Sequence, residues 1–241
     1  ELKNLGINTN FIKKIKEKST NHSIIVDSVD KIDRTILMYK GASELVEKNN
    51  IPWKKLKTKW IYSAPLSGLL CDSFEDIVNF AYENKIKIAA NPSNDQLLKP
   101  IEDLKRVFDK VDVLILNQEE ASLLTKISYE KENEIFKKID QICSNIVVMT
   151  KGGEGVVVSD GKHLYRAKPF SERKIVDTTG AGDSFASGFI SDFIRYNGDI
   201  KKAIQLGMAN SIGCISEMGA KNGLLNKNTE FKRVEVTYEK S

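Results

Sequence analysis

The sequence of 241 residues has few of the residues that build metal centres and disulfide frameworks. Its three cysteines, Cys71, Cys143 and Cys214, are far apart and form no Cys-x-x-Cys pair. This spacing excludes a disulfide-rich secreted protein and a zinc finger, and it predicts reduced thiols in a cytoplasmic protein. The two histidines, His22 and His163, lack metal-ligand spacing, so we interpret them as surface or packing residues.

Long apolar runs and a strong excess of one charge are missing too. No run approaches the length of a membrane span and no signal peptide is visible, so we expect no membrane partner. The 37 basic and 33 acidic residues give a net charge of +4, which provides no argument for a nucleic-acid partner. The length and the 41% content of hydrophobic residues suit one sizeable α/β domain over residues 1–241.

The most informative stretch is 177–185, which reads Asp-Thr-Thr-Gly-Ala-Gly-Asp-Ser-Phe. The β-branched run at 174–176 before it predicts a short strand. The apolar pattern at 184–196 after it predicts a largely buried helix. The stretch is therefore predicted to be a tight glycine turn between a strand and a helix.

Two glycines and a carboxylate give this turn its chemistry. Gly180 and Gly182 remove the Cβ where the chain bends sharply or a ligand comes close. The first amides of the helix and the helix dipole then favour an anion. Asp183 is suited to take a proton from a hydroxyl that attacks a phosphate. The alternative, an ordinary helix start with an Asp cap, would be favoured for a lone Gly-x-Gly-Asp.

The whole stretch resembles the signature Asp-Thr-x-Gly-Ala-Gly-Asp of the ribokinase family, also called the PfkB carbohydrate kinases. The resemblance implies a three-layer α/β/α fold with a mostly parallel sheet, and ATP-dependent phosphorylation of a sugar hydroxyl. It also implies that Asp183 is the catalytic base. The amides of Gly180, Ala181, Gly182 and Asp183 would form the anion hole for the transferring phosphate. The Walker motif Gly-x-x-x-x-Gly-Lys-Ser/Thr does not occur in the sequence.

A second motif follows the apolar run 112–116, which is typical of a buried strand in a parallel sheet. There Asn117 and Glu120 form an Asn-x-x-Glu pattern at the predicted start of a helix. By resemblance, both residues orient Mg²⁺ and its waters on the phosphates of ATP, and Asn117 contributes to the ATP site. Acidic residues at a helix start also have a plain explanation, since they complement the helix dipole.

A glycine-rich turn and a later helix complete the predicted nucleotide-binding half, residues 112–225. Thr150, Gly152 and Gly155 match the family's Thr-x-Gly-x-x-Gly nucleotide loop, although a hairpin loop is the default interpretation. Asn210, in the helix predicted over 199–215, matches a position that lines the adenine or ribose pocket in many relatives. A buried polar residue satisfied by the backbone is an equal alternative for Asn210.

The resemblance also implies a monovalent cation, K⁺, held through Asp177 and Thr179. In the family this cation is bound by side-chain and backbone oxygens of the turn and of the loop at 218–220. Together with ATP and Mg²⁺, K⁺ completes the expected cofactors.

Residues 23–40 predict a β-hairpin, with strands at 23–29 and 34–39 and a turn at 30–33. In the ribokinase family a hairpin at this place forms a lid over the sugar site, and the lid often joins two subunits into a homodimer. An ordinary edge hairpin is the alternative. Before it, the second half of 2–18 has apolar spacing that predicts an amphipathic helix.

Family members normally begin with a strand and a helix that supply an acidic residue and a Gly-Gly-x-x-Asn segment for the sugar hydroxyls. No such segment precedes Leu2, so we expect the opening β-α unit to be missing from this sequence. Substrate choice depends mostly on that unit and on the lid. Two alternatives to a sugar kinase therefore stay open: a nucleoside kinase of the same fold, and a catalytically impaired nucleotide-binding regulatory protein.

Overall fold

The computed structural model describes residues 1–27 and 34–240, whose strands form two sheets. The smaller sheet is an antiparallel pair of β1 (His22–Asp27) and β2 (Arg34–Tyr39). This pair confirms the predicted hairpin, and its predicted turn at 30–33 lies outside the described residues. The larger sheet has seven strands in sequence order: β3 (Trp60–Ser63), β4 (Lys87–Ala90), β5 (Val113–Asn117), β6 (Ile146–Thr150), β7 (Val156–Ser159), β8 (His163–Ala167) and β9 (Thr237–Lys240).

The direction of the strands divides the larger sheet into two parts. Strands β3 to β6 are parallel, and β7, β8 and β9 continue the sheet in antiparallel pairs. The parallel strands bring their carboxyl ends to one edge, which is where open α/β sheets bind ligands. Asn117 and Thr150 are register partners at the ends of β5 and β6 on this edge.

Seven α-helices lie among the described residues. They are α1 (Phe74–Glu83), α2 (Asn94–Leu97), α3 (Ile101–Phe108), α4 (Gln118–Thr125), α5 (Glu132–Ile139), α6 (Ala181–Arg195) and α7 (Ile200–Ile215). Within the described part of the chain, no helix combines the length and the apolar character needed to cross a lipid bilayer.

Two hydrophobic cores cover the two faces of the larger sheet. In β5, Leu114 and Leu116 face the core that contains α1, α3, α4 and α5. Val113 and Ile115 alternate with them and face the core under α6 and α7. A strand with both faces buried reads as a continuous apolar run, which is why 112–116 could be recognised as a central strand. The predicted three-layer α/β/α fold is confirmed.

Helices α6 and α7 approach each other closely because glycines lie in their contact. A Cβ on Gly188 would come within 2.9 Å of the backbone oxygen of Leu206. A Cβ on Gly207 would come within 2.9 Å of the Phe185 ring. This contact fixes the helix that carries the Gly-Ala-Gly-Asp turn.

Two predicted elements are wrong. The second half of 2–18, predicted as an amphipathic helix, is coil with bends that follows a 3-10 helix at Leu2–Leu5. Phe11 and Ile12 are 51% and 53% exposed there, so the apolar face that would stabilise a helix is not buried. The strand at 174–176 is absent as well. Instead, the N–H of Val176 donates to the Ile215 carbonyl at the end of α7, 2.8 Å away.

Candidate functional site

A cavity of about 310 Å³ lies where β5, β6 and the start of α6 meet. Its lining includes residues from four of the predicted features: the lid hairpin, the Asn-x-x-Glu motif, the start of the glycine loop and the Gly-Ala-Gly-Asp turn. The lining residues are Ile25, Asn91, Ile115, Leu116, Asn117, Glu120, Thr150, Thr178, Thr179, Gly180, Ala181, Gly182 and Asp183. We call this space the catalytic cavity below.

The glycine turn has a backbone that requires glycine at one position. Gly180 is the N-cap of α6 with φ +79°, in the left-handed region that residues with a Cβ rarely adopt. A Cβ there would lie 2.7 Å from the backbone oxygen of Ala220. The turn and the loop that contains Ala220 are therefore packed directly against each other.

Asp177 holds this turn through its carboxylate. Its Oδ1 accepts a hydrogen bond from the N–H of Thr179, and its Oδ2 accepts one from the N–H of Gly219, both at 2.9 Å. The predicted cation residues Asp177 and Thr179 are thus adjacent. The same contacts tie the turn to the loop after α7.

The first turn of α6 forms a wall of the catalytic cavity. The regular helical hydrogen bonds begin with the Ser184 N–H, which donates to the Gly180 carbonyl at 2.9 Å. The Ala181 N–H has a longer contact of 3.3 Å with the Thr178 carbonyl. Asp183 lies between these positions and is exposed. A helix start with amides at a cavity wall suits an anion, and an exposed carboxylate beside it suits a proton acceptor.

Asn117 and Glu120 form a capping box at the start of α4. The side-chain Oδ1 of Asn117 accepts from the Glu120 N–H, and the Oε2 of Glu120 accepts from the Asn117 N–H, each at 2.8 Å. Asn91 donates to the Ile115 carbonyl at 3.0 Å and contacts the same Glu120 oxygen at 3.5 Å. The motif therefore does form a helix cap, and this cap fixes both side chains at the cavity.

The carboxylate of Glu120 is partly removed from water. Burial raises the pKa of Glu120, although the hydrogen bonds from Asn117 and Asn91 oppose that rise. Within the described residues, no group of three or more His, Cys, Asp or Glu side chains could hold a metal on its own. A carboxylate and an amide oxygen at a cavity nevertheless fit Mg²⁺, which keeps much of its water and takes further oxygens from phosphates.

A second cavity of about 200 Å³ adjoins the first and shares Thr150, Thr178, Ala181 and Gly182 with it. Gly152 and Gly155 of the glycine-rich turn line it. The other lining residues are Gly153, Pro169, Arg173, Ile175, Phe185, Met208, Ser211, Ile212 and Ile215. We call this space the nucleotide cavity. An apolar pocket with a few polar groups is typical of a site for a flat ring such as a purine.

The structure does not bring Asn210 to the nucleotide cavity. Its side chain is buried between α6 and the chain after α7, where its amide donates to the Ser184 carbonyl at 2.8 Å. Its Oδ1 accepts from the Leu225 N–H at 2.9 Å. Because α7 turns by about 100° per residue, its cavity-facing positions are others, among them Met208 and Ser211. The alternative interpretation of Asn210, a buried and satisfied polar residue, describes it better.

Sequence reasoning missed Tyr62, which lies at the end of β3 on the same face as Trp60. Burial raises the pKa of Tyr62 to about 12, and the negative charges of Asp183 and Glu120 add to the rise. The charges of both carboxylates therefore act on the phenol, although Tyr62 is 39% exposed and is not among the residues that line the catalytic cavity. Its position at the carboxyl end of a parallel strand was the available signal.

Comparison with known proteins gives a consistent set of matches. The family described as pfkB family carbohydrate kinase matches residues 1–227. An uncharacterized sugar kinase of Archaeoglobus fulgidus is 25% identical over 222 residues, which cover 91% of this chain and 85% of the relative. A ribokinase of Lactococcus lactis subsp. lactis is 31% identical over 195 residues, 80% of this chain. The matched region spans 60% of that ribokinase, less than two thirds of its length.

Solved structures resemble the fold at low sequence identity. The crystal structure of the nucleoside kinase of Methanocaldococcus jannaschii, an archaeal member of the ribokinase family, superimposes with a TM-score of 0.72. The two sequences are 21% identical, and the match covers 92% of this chain and 70% of that chain. At this identity the likeness shows the shared fold.

Proposed function

The chain belongs to the pfkB family of carbohydrate kinases, and on that premise we propose that it transfers the γ-phosphate of ATP to a hydroxyl of a sugar. One observation carries the proposal: the Asn-x-x-Glu motif, Thr150 of the glycine loop and the Gly-Ala-Gly-Asp turn all line one cavity. These motifs are far apart in the sequence. If each were only a helix cap or a hairpin turn, nothing would require all of them to line the same cavity.

The nucleotide is assigned to the nucleotide cavity, with its phosphates directed toward the shared wall at Ala181 and Gly182. Backbone atoms of Thr150, Gly152 and Gly155 would contact the ribose and phosphates. Gly152 and Gly155 have φ values of +51° and +102°, which residues with a Cβ rarely adopt. The backbone conformation therefore explains why glycine occupies both positions. We leave Asn210 out of this site because its polar atoms already bond the protein.

Asp183 is assigned as the base that accepts the proton of the attacking hydroxyl. The amides from Gly180 to Asp183 would stabilise the negative charge that spreads over the transferring phosphate. A third role is assigned to Tyr62, whose raised pKa keeps its phenol protonated at neutral pH, so that it could donate a hydrogen bond to the acceptor or the phosphate. The acceptor is assigned to the side of the cavity that Ile25 and Asn91 line.

Mg²⁺ is assigned to Glu120 and Asn117, which would hold it through water. When bound, Mg²⁺ supplies positive charge that neutralises the phosphate oxygens. The partly buried carboxylate of Glu120 supports this assignment, because a nearby cation would favour its ionised form.

K⁺ is assigned to the turn at Asp177 and Thr179. Both carboxylate oxygens of Asp177 already accept hydrogen bonds from backbone amides. The turn is thus formed by the protein's own contacts, so we propose that K⁺ raises the rate without being required. Rates in K⁺ and in choline salts of equal ionic strength test this part.

The hairpin of β1 and β2 is assigned as a lid and as a dimer contact. Ile25 lines the catalytic cavity, while Ile24, Leu37 and Met38 are 57 to 64% exposed. Exposed apolar side chains on a two-stranded sheet are the kind of surface that a second copy of the chain would cover. Sedimentation of the chain with Leu37→Lys, compared with the wild type, tests the dimer.

A nucleoside kinase is the second candidate, because the primary hydroxyl of a nucleoside would meet the same base and anion hole. The test is release of ADP from Mg·ATP across a panel of pentoses, hexoses and nucleosides. A sugar-dependent release supports the proposal, and a nucleoside-dependent release replaces it with the second candidate. ATP binding without release for any acceptor would instead indicate the regulatory protein.

A further inference from the structure

A third cavity, of about 470 Å³, lies on the far part of α6, and we call it the rear cavity. Its walls are the second half of α6, the first half of α7 and the segment 224–233. It shares no lining residue with the catalytic cavity or the nucleotide cavity. Nothing in the proposed phosphoryl transfer uses it.

Positive side chains dominate this cavity. Arg195, Lys202, Lys227 and Arg233 line it, and Asp192 is the one acidic side chain among its lining residues in the described part of the chain. Four cations against one carboxylate leave an excess of three positive charges. A concave surface lined by one sign of charge attracts counter-ions of the other sign.

The single carboxylate is already neutralised by one of the four cations. Asp192 is 6% exposed, and its Oδ1 lies 2.7 Å from Arg195 Nη1. Burial raises the pKa of Asp192, and the positive charges of Arg195, Lys202 and Arg233 oppose the rise. These three cations therefore converge on one buried carboxylate from two helices and the segment 224–233.

Two of the cations have no carboxylate at ion-pair distance among the described residues, although the charge of Arg233 also acts on Asp192. Lys202 lies 4.0 Å from the ring centre of Tyr196 and 3.9 Å from an Asp199 oxygen. In contrast, Lys227 and Arg233 form no ion pair with any residue that the structure describes. Like charges held at one cavity repel each other, and a bound anion relieves that repulsion.

The wall also offers neutral hydrogen-bond groups. Thr229 Oγ1 accepts a bond from the Asn226 N–H at 3.1 Å, so its own hydrogen can still be donated toward a ligand. Gln205 and Ser191 line the cavity as well, although the Ser191 hydroxyl already donates to the Ser187 carbonyl at 2.7 Å. Guanidinium, ammonium and hydroxyl donors around one space are the groups that bind phosphate oxygens in proteins.

We propose that the rear cavity binds a small, multiply charged phosphate ester, with Arg233 and Lys227 as its main ligands. The volume is within the range of small-molecule sites, and three elements line it, which suits a metabolite. This site is additional to the proposed kinase function and does not rest on it.

The position of the site links it to the catalytic turn. Ser187 lines the rear cavity and follows Asp183 by one turn of α6, about 6 Å along the helix axis. Asn210 joins the same helix to Leu225 on the cavity wall. A bound phosphate ester would therefore hold α6, the helix that carries the Gly-Ala-Gly-Asp turn, against its neighbours.

The test is isothermal titration of the full chain with inorganic pyrophosphate at physiological ionic strength. The double variant Lys227→Gln with Arg233→Gln removes the two unpaired cations. Lys232→Gln is the control, because Lys232 is on the same segment but lies over the Phe170 ring, 4.2 Å from its centre. Thermal unfolding of each variant verifies that it is folded.

The proposal predicts a pyrophosphate site whose Kd rises about tenfold or more in the double variant, since charge-assisted contacts are lost. The control should bind pyrophosphate like the wild type. An unchanged Kd in a folded double variant would overturn the proposal, because any binding would then belong to the anion hole of α6. An equal loss in the Lys232→Gln control would overturn it too, since the attraction would then be general surface charge.

Discussion

Asn117 and Glu120 each accept a hydrogen bond from the backbone N–H of the other, and both bonds are 2.8 Å long. The two residues that the family motif relates to Mg²⁺ are thus the two that start α4. The reciprocal bonds fix both side chains before any ligand arrives, so little ordering would be needed on binding. A cap and a metal site are compatible here, because the Asn117 Oδ1 has a second lone pair and the Glu120 carboxylate has a second oxygen.

Glu120→Gln tests this double role through stability. The raised pKa of Glu120 means that its ionised form destabilises the fold at pH values above that pKa. The destabilisation disappears as the pH falls below the ordinary value of 4.5, where the carboxyl is protonated in both folded and unfolded chains. Since Gln keeps the cap, the variant should be at least as stable as the wild type near neutral pH. Urea unfolding near neutral pH and at about pH 4 measures the difference, which should vanish in acid.

Glu120→Gln should also weaken the binding of Mg·ATP. We expect kcat/KM for Mg·ATP to fall by about tenfold to a hundredfold, as for groups that orient a metal. Glu119→Gln, a change at the exposed neighbouring residue, is the control and should retain both activity and stability. A Glu120→Gln enzyme that kept the full Mg²⁺ response would remove Glu120 from the metal site.

Gly180→Ala and Gly182→Ala separate folding from chemistry in the glycine turn. Alanine at position 180 must adopt φ +79° with its Cβ 2.7 Å from Ala220 O, so we expect a loss of at least about 1–2 kcal/mol in unfolding free energy. Alanine at position 182 lies within α6 and meets nothing within 4 Å, so stability should hold or rise by up to about 1 kcal/mol.

If phosphate approaches the amides closely, the Gly182→Ala methyl group occupies its space. The stable variant should then lose turnover by about tenfold or more, as when one donor of an anion hole is disturbed. Full activity in Gly182→Ala would show that the phosphate does not lie against this turn. Chemical denaturation and steady-state kinetics on both variants provide the comparison.

Asn210→Ala should lower the free energy of unfolding and leave the Kd for ATP unchanged. The variant removes the bond to the Ser184 carbonyl and leaves the Leu225 N–H without its acceptor. We expect a loss of about 1–3 kcal/mol in unfolding free energy. Asn222→Ala, at an exposed residue whose amide bonds the Met218 carbonyl, is the control and should cost little. A rise in the Kd for ATP without a loss of stability would show that Asn210 contributes to the nucleotide site.

Ile25→Ala tests the lid. Ile25 lines the catalytic cavity, whereas the neighbouring Ile24 is 60% exposed and does not line it. We expect Ile25→Ala to raise the KM for the acceptor with little change in the KM for ATP, since it removes apolar contact from the acceptor side. Ile24→Ala should change neither value, and equal effects of the two variants would contradict a lid that closes through Ile25.

The family resemblance implied the mostly parallel sheet, and a local pattern in the sequence supported it. The continuous apolar run 112–116 indicated a central strand, and a motif at the end of each of two parallel neighbours had to reach the same edge. Gly180 could be recognised as the bend because residues with a Cβ avoid positive φ.

Other features depended on contacts that a single sequence does not contain. The N-terminal helix prediction failed because most of the stability of an amphipathic helix comes from burial of its apolar face, and Phe11 stays 51% exposed. Asn210 was assigned by its place in a motif, while the direction of its side chain depends on the rotation of α7. Tyr62 escaped notice because Asp183, whose charge acts on it, lies more than a hundred residues away in the sequence.

The most direct test of the account is the turnover of Asp183→Asn beside Asp199→Asn. Both make the same chemical change, and Asp199 caps α7 by accepting from the Lys202 N–H, a role that Asn fills equally well. We predict that Asp199→Asn keeps acceptor-dependent ADP release, while Asp183→Asn binds ATP normally and loses about 10²- to 10⁴-fold in kcat. Wild-type turnover in the Asp183→Asn protein would contradict the assignment of Asp183 as the base.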